Sequence, residues 1–194
     1  MVVVKFILSC SFGKDSLAML LKILELGYPL DEVVYFDIGV EFDSIRNNAE
    51  KMKPILSEKG VKFTILEPKE PFVYCMCEKP VKKANGTLQS GYKWCGGCAR
   101  WGTTLKLDAI KKNNAKYGEE MIVEYVGVAS DERQRINRER QGNRIKIYPL
   151  VEWECRKRIA WNTVTIRAGI GMKMVMNCTI YLIGFLVNIV KTKI

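Results

Sequence analysis

The residues Ser11 to Ser16 read S-F-G-K-D-S and follow directly on the apolar run Val2 to Leu8. A strand that empties into a short glycine-containing turn at the mouth of a helix is suited to hold phosphate. The first helical turn leaves backbone N–H groups unpaired and carries partial positive charge. Gly13 lets the backbone approach an anion closely, Lys14 adds a mobile full charge, and Ser11 and Ser16 add hydroxyl donors. The spacing is too short for the G-x-x-x-x-G-K-[ST] loop of the common ATPases, which excludes that loop.

Such groups act only if the chain delivers partners to the same rim, and the periodicity of the sequence says how. Val2 to Leu8 reads as a strand. Asp15 to Leu26 reads as a helix with Leu17, Leu20, Leu21 and Leu24 on one face, closed by Gly27. Glu32 to Ile38 is a second strand, Asp43 to Glu58 a helix closed by Gly60, and Val61 to Leu66 a third strand. Trp101 to Lys116 is a helix, Met121 to Val128 a fourth strand, and Ile145 to Val151 the last. Between them Lys69 to Arg100 has no clear period and holds Gly, Pro and four cysteines, the pattern of a long functional loop or small insertion. Strict alternation predicts a doubly wound α/β fold. Its sheet is mostly parallel and five-stranded, helices cover both faces, and ligands sit at the carboxyl ends of the strands.

Those strand ends carry further chemistry. The second strand ends Y-F-D-I-G-V-E-F, placing Asp37, Gly39 and Glu41 beside the phosphate turn; the fourth ends G-V-A-S-D-E-R-Q-R, placing Gly127, Asp131, Arg133 and Arg135 opposite them. Taken singly, Asp37 reads as a loop cap and Glu41 as the start of the next helix. Their joint occurrence at three strand ends favours a site. The turn resembles the PP-loop of the N-type ATP pyrophosphatase superfamily, S-x-G-K-D-S. The segments together resemble the phosphoadenosine phosphosulfate reductase family, whose pattern runs S-G-G-K-D-S, D-T-G-x-E-F, G-x-x-x-D-E and then Y-P-L, the last matched by Tyr148-Pro149-Leu150. The resemblance covers residues 1–154 as one nucleotide-binding domain with the adenine nucleotide alpha hydrolase-like fold. It implies ATP or phosphoadenosine phosphosulfate as substrate, with magnesium compatible with the phosphates. Ser11, Gly13, Lys14, Asp15 and Ser16 would hold phosphate or sulfate. Asp37, Gly39 and Glu41, with Gly127 and Asp131 opposite, would complete the nucleotide site. Phe12 stands where the family has glycine and Ile38 where it has threonine; neither change removes the Lys, the Asp or the second Gly, so nucleotide binding is expected to survive.

Cys95-x-x-Cys98 places two thiols within reach of one metal or of each other, with Arg100 and Lys106 near enough to favour thiolate. Cys75 and Cys77 lie about twenty residues earlier, so a four-cysteine zinc or iron–sulfur site is geometrically feasible, beside the alternative of ordinary reduced thiols. In the family this region carries an L-K that faces the sulfate or phosphate end, which by resemblance assigns Lys106. Among the five arginines between Asp131 and Arg144, Arg133 is read as a clamp on a terminal oxyanion, and Arg140 and Arg144 as solvated. The candidate catalytic groups are therefore Lys14, Asp15, Lys106 and Arg133.

Composition sets the frame. A chain of 194 residues, 48% hydrophobic, suits one globular domain with a sizeable core. The absence of histidine removes imidazole bases and mixed Cys/His metal sites. Seven cysteines without a secretory segment suggest a reducing, cytoplasmic setting, and Met1 to Phe12 reads as a strand instead of a signal peptide. The net charge of +10 is uneven: residues 1–154 hold 24 Lys+Arg against all 21 Asp+Glu, whereas residues 155–194 hold seven Lys+Arg and no acid. Met174 to Val190 resembles a marginal membrane anchor, but a different explanation is preferred, namely that a single-base shift near Arg156 puts this tail out of frame. Read from the third base of each codon, Trp161-Asn162, Met172-Lys173 and Met176-Asn177 must each give glutamate. Permitted codons also restore an aromatic-rich segment and a second C-x-x-C. No membrane segment is then expected, and an oligomer is left open.

The resulting expectation is an enzyme that either releases sulfite reductively from a sulfonucleotide or cleaves ATP at the α-phosphate to adenylate an acceptor. The family's reductive route uses a mobile cysteine in a Glu-Cys-Gly context, which this sequence lacks. An adenylating sulfur-transferase acting on nucleic acid, or with a protein sulfur acceptor, therefore stands beside it, and a nucleotide-binding module without turnover is the third reading.

Overall fold

The computed structural model describes residues 3–94, 100–136 and 142–155. Cys95, Cys98, Arg138, Arg140 and the tail from residue 156 onward lie outside the described residues. Five strands form one sheet in the order β3-β2-β1-β6-β7: β1 is Val4–Ser9, β2 Glu32–Phe36, β3 Lys62–Leu66, β6 Met121–Tyr125 and β7 Arg144–Ile147. Every neighbouring pair is parallel. The chain winds outward from β1 to β3, then returns to add β6 on the other side of β1. The carboxyl end of β1 is thus the point where strand order reverses, the place where open α/β sheets bind their ligands.

Side chains alternate across the sheet with a period of two. Leu8, Cys10, Val33 and Tyr35 face helices α1 (Lys14–Leu26), α2 (Asp43–Glu58) and α5 (Pro149–Glu152), while Ile7, Val34 and Ile122 face Ile110 of α4 (Trp101–Asn114). Both faces are therefore covered. α1 ends where the sequence says it must, on Gly27 in the left-handed region at φ 66°.

Several bounds differ from expectation for local reasons. β2 stops at Phe36, because the chain turns through Gly39 at φ 90°. The last strand ends at Ile147 and not Val151, since Pro149 has no N–H for a sheet ladder but suits a first helical turn, and α5 begins there. Of the two expectations for residues 69–100, the described part forms the small insertion: it contains α3 (Phe72–Cys77) and a hairpin of β4 (Pro80–Lys82) with β5 (Leu88–Ser90), pieces too short to show a period. Among the described residues no helix is long and apolar enough to cross a membrane.

At the amino ends of the strands Glu32 is fully buried. It accepts hydrogen bonds from Thr64 Oγ1 at 2.5 Å, Lys116 Nζ at 2.6 Å and Tyr117 Oη at 2.6 Å. Burial pushes its carboxyl up, but those donors outweigh it and hold it below the usual range.

Candidate active site

β1 runs out at Ser9, and Cys10 N extends the pairing by one bond to Val34 O at 2.9 Å. The chain then turns through Phe12 at φ 53°, the left-handed region that glycine occupies freely. This is the position where the resembling family carries glycine, so the backbone keeps a glycine-like shape. A side chain there costs about 1–2 kcal/mol. The ring offsets it by full burial, edge-on to Tyr35 at 5.2 Å and Phe63 at 5.7 Å, where an aromatic side chain contributes about 2–3 kcal/mol. Phe12 N donates to Cys10 Sγ at 3.4 Å, and Asn48 Nδ2 donates to Phe12 O at 3.3 Å. The turn is thereby anchored from below.

Gly13, in extended conformation, is the N-cap of α1, and no side chain caps the helix. The first helical bond is Leu17 N to Gly13 O at 2.9 Å, so the amides of Lys14, Asp15 and Ser16 precede the ladder and have no helical acceptor. Ser11 Oγ and Ser16 Oγ lie 3.0 Å apart, and Ser16 Oγ donates to Gly13 O at 3.2 Å. Lys14 and Asp15 are half-buried at this mouth. Among the described residues Lys14 forms no ion pair.

Two other elements close on the turn. A Cβ at Gly127, just past β6, would sit 3.3 Å from Ser16 Cα, so the exit of β6 lies directly on the first turn of α1. From α4, the half-buried Lys106 comes within the electrostatic field of Glu41 and Cys10. Burial draws its pKa below the usual lysine value, while Glu41 and Cys10 oppose the shift. Cys10 is pushed up to about 11 by burial, against the Phe12 amide, the Ser16 hydroxyl and the Lys106 charge, so it remains a thiol at neutral pH. The structure therefore gathers Ser11, Gly13, Lys14, Asp15, Ser16 and Gly127 at one uncapped helix start, with Lys106 and Glu41 within electrostatic reach of each other.

Asp37 serves its loop: Oδ1 accepts from Gly39 N at 2.8 Å, and Oδ2 pairs with Arg46 Nε at 3.3 Å. Arg46 is a residue that sequence reasoning missed. Its signal was an arginine one turn inside the helix that follows D-I-G-V-E-F. Asp37, Gly39, Arg46, Lys69 and Phe72 line a cavity of about 490 Å³. Beyond β6, Asp131 and Arg133 sit on the 3-10 segment Ser130–Arg135, both exposed, and line a cavity of about 540 Å³ with Ser130 and Glu154. Arg135 is engaged by Glu132 at 2.9 Å.

The cysteines of α3 diverge. Cys75 is buried and its Sγ lies 3.8 Å from Glu70 Oε2, while Cys77 is exposed; two positions apart on a helix are roughly 200° apart in azimuth. The two thiols therefore do not share a face of α3. Among the described residues no group of three or more His, Cys, Asp or Glu could hold a metal ion.

Comparison with known proteins then gives three findings. The phosphoadenosine phosphosulfate reductase domain matches residues 5–165. No curated protein matches by sequence. Among solved structures the chain is similar to the U34-tRNA thiolase NcsA from Methanococcus maripaludis, solved with its [4Fe-4S] cluster, at TM-score 0.50 and 14% identity over 97% of this chain. The chain spans 64% of that protein's length, and at this identity the likeness concerns the fold.

Proposed function

Because the chain belongs to the phosphoadenosine phosphosulfate reductase domain family, we propose that it binds an adenine nucleotide with the phosphates at the start of α1 and cleaves ATP at the α-phosphate. The observation that carries this reading is the uncapped start of α1, where amides without helical acceptors stand beside the Ser11 and Ser16 hydroxyls and the half-buried Lys14; Lys106 of α4 is the second cation assigned to it. An acceptor oxygen attacks the α-phosphorus, the bond to the β-phosphate oxygen breaks, and pyrophosphate leaves with the electron pair. The acceptor's proton passes to solvent. Unpaired amides and two ammonium groups placed before the reaction stabilise the charge that gathers on the leaving group. Glu41, Gly39 and Asp37 border the nucleoside end, and Arg133 with Asp131 the far side.

The same cradle accommodates a sulfonucleotide, and reductive release of sulfite is the reading closest to the family's name. That route needs a thiolate, and Cys10, the described cysteine beside the cradle, is held as a thiol by burial. Transfer of sulfur to nucleic acid after adenylation is the second reading, supported by the fold shared with a tRNA thiolase. Asp15 and Glu41 are the carboxylates that a magnesium ion accompanying the phosphates would use. A cluster or zinc would rest on Cys95 and Cys98, with Cys75 or Cys77 of α3 as further thiols. A reducing, cytoplasmic setting belongs to the same proposal.

Incubation with ATP or with phosphoadenosine phosphosulfate tests it. Pyrophosphate release supports adenylation and sulfite release supports reduction. Tight binding with neither product reduces the protein to a nucleotide-binding module.

The out-of-frame origin of residues 155–194 belongs to this proposal as well, supported by their lack of acid and by the three forced glutamates. Sequencing the coding DNA tests it: a stop codon early in the shifted frame would end the idea.

A further inference from the structure

Between β3 and α4 the chain leaves the sheet and builds a unit that the phosphate cradle does not use. A Cβ at Gly91 would fall 2.0 Å from Met76 O, and Gly91 has φ 66°, so the end of the β4–β5 hairpin is pressed onto α3 in a way only glycine allows. Tyr92 N donates to Cys75 O at 2.9 Å and Lys93 N to Met76 O at 3.0 Å. The Tyr92 ring stacks on Trp101 at 5.5 Å, Trp101 stacks on Phe72 at 4.8 Å, and Trp101 Nε1 donates to Lys93 O at 3.1 Å. The unit is clamped to the first residue of α4, five positions before Lys106.

Its outer surface is not what that clamp requires. Residues 79–93 hold four lysines and no acid. Lys79 is engaged by Glu70. Lys82 stands opposite Leu88 across the hairpin, both exposed, and Leu88 leaves 73% of its surface in solvent. Lys83 is exposed at the hairpin turn, and Lys93 and Trp94, which follow the hairpin, are exposed too, Trp94 at 71%. Exposed cations and an exposed indole on one small unit complement a polyanion whose bases are free to stack. An acidic peptide would satisfy the lysines but leave Trp94 without a partner, and a duplex presents no free base face.

We propose that the α3–β4–β5 unit is a docking platform for single-stranded nucleic acid, with Lys82, Lys83 and Lys93 on phosphates and Trp94 stacked on a base. This deepens the sulfur-transfer reading by naming where the acceptor docks, and it rests on that reading.

The test uses the full chain and a fluorescein-labelled, unstructured 20-nucleotide RNA, followed by anisotropy across salt, with ATP binding measured on the same samples. Lys82→Glu/Lys83→Glu/Lys93→Glu is expected to weaken RNA binding at least tenfold at about 50 mM salt and to flatten the log–log salt slope by about 2. Trp94→Ala is expected to weaken it roughly five- to hundredfold with the slope unchanged. Both variants should bind ATP normally, and Lys14→Ala should bind RNA normally. The seven Lys+Arg of residues 155–194 are present in every variant, so a loss cannot be assigned to the tail. A triple variant or a Trp94→Ala protein that binds RNA like the parent overturns the platform. So does equal binding of a duplex of the same sequence or of a polyglutamate peptide. A parent chain that binds ATP but not RNA overturns the platform and leaves the nucleotide site standing, whereas one that binds RNA but not ATP does the reverse.

Discussion

The two ends of the sheet use the same chemical groups in opposite ways. At the amino ends a carboxylate, two lysines, a hydroxyl and a phenol close on each other: Glu32 is met by Thr64, Lys116 and Tyr117, with Lys62 at 3.9 Å. Toward the carboxyl ends Lys14, two serines and a run of helix amides stand together, and among the described residues neither Lys14 nor Lys106 forms an ion pair. A cluster that satisfies itself stabilises the fold. A cluster that leaves charge over is prepared for something else. Counting charged residues would not separate the two; tracing their partners does.

The contrast breaks most readily at Glu32. Glu32→Ala leaves Lys116 and Tyr117 without their acceptor and should cost about 3–4 kcal/mol in urea unfolding, while the affinity for ATP per folded molecule stays unchanged. A parallel loss of affinity would mean that the two ends are not independent. The isosteric Glu32→Gln sharpens this through pH. A carboxyl held below its unfolded value adds stability above that value, about 4.3, and loses it as pH falls through the folded value. The acid limb of the parent's stability curve should therefore flatten in the variant.

Next in size is Lys14→Ala, expected to weaken ATP binding by about ten- to a hundredfold in calorimetry, as hydrogen bonds to charged groups contribute about 1.5–3 kcal/mol, with little change in unfolding. Gly127→Ala should cost about tenfold in affinity, since the added methyl at 3.3 Å from Ser16 Cα must push the helix start away from β6. The smallest effect concerns Lys106. Its depressed pKa predicts that nucleotide affinity falls as pH rises, before an ordinary lysine would titrate near 10.4, and Lys106→Gln should remove that limb. An affinity that is flat with pH in the parent would take Lys106 out of the site.

The β1–α1 turn, the alternation of elements and the two faces of the sheet were legible in the sequence because each rests on local pattern: S-F-G-K-D-S after an apolar run, and periods of two and of 3.6. Lys106 was assigned by resemblance alone, and no spacing rule would have named it, since α4 meets the sheet only through tertiary packing. Arg46 was not found, because its partner Asp37 lies across a loop whose shape depends on Gly39. The α3–β4–β5 unit was opaque for another reason: three-residue strands show no period, and the contact that holds the unit is an aromatic stack between Phe72, Tyr92 and Trp101. Cys75 and Cys77, neighbours in sequence, differ in exposure because a helix turns residues two apart away from each other.

Phe12 ties the β1–α1 turn, the proposed nucleotide site, to the interior. Its ring is a peg driven into the space between β2, β3 and α2, and the turn hangs from it. The recognition loop therefore has no freedom to soften ahead of the hydrophobic interior. On heating, the capacity to take up ATP should vanish at the same temperature as the helical signal, and any treatment that loosens the interior should register first as a weakened grip on the ligand.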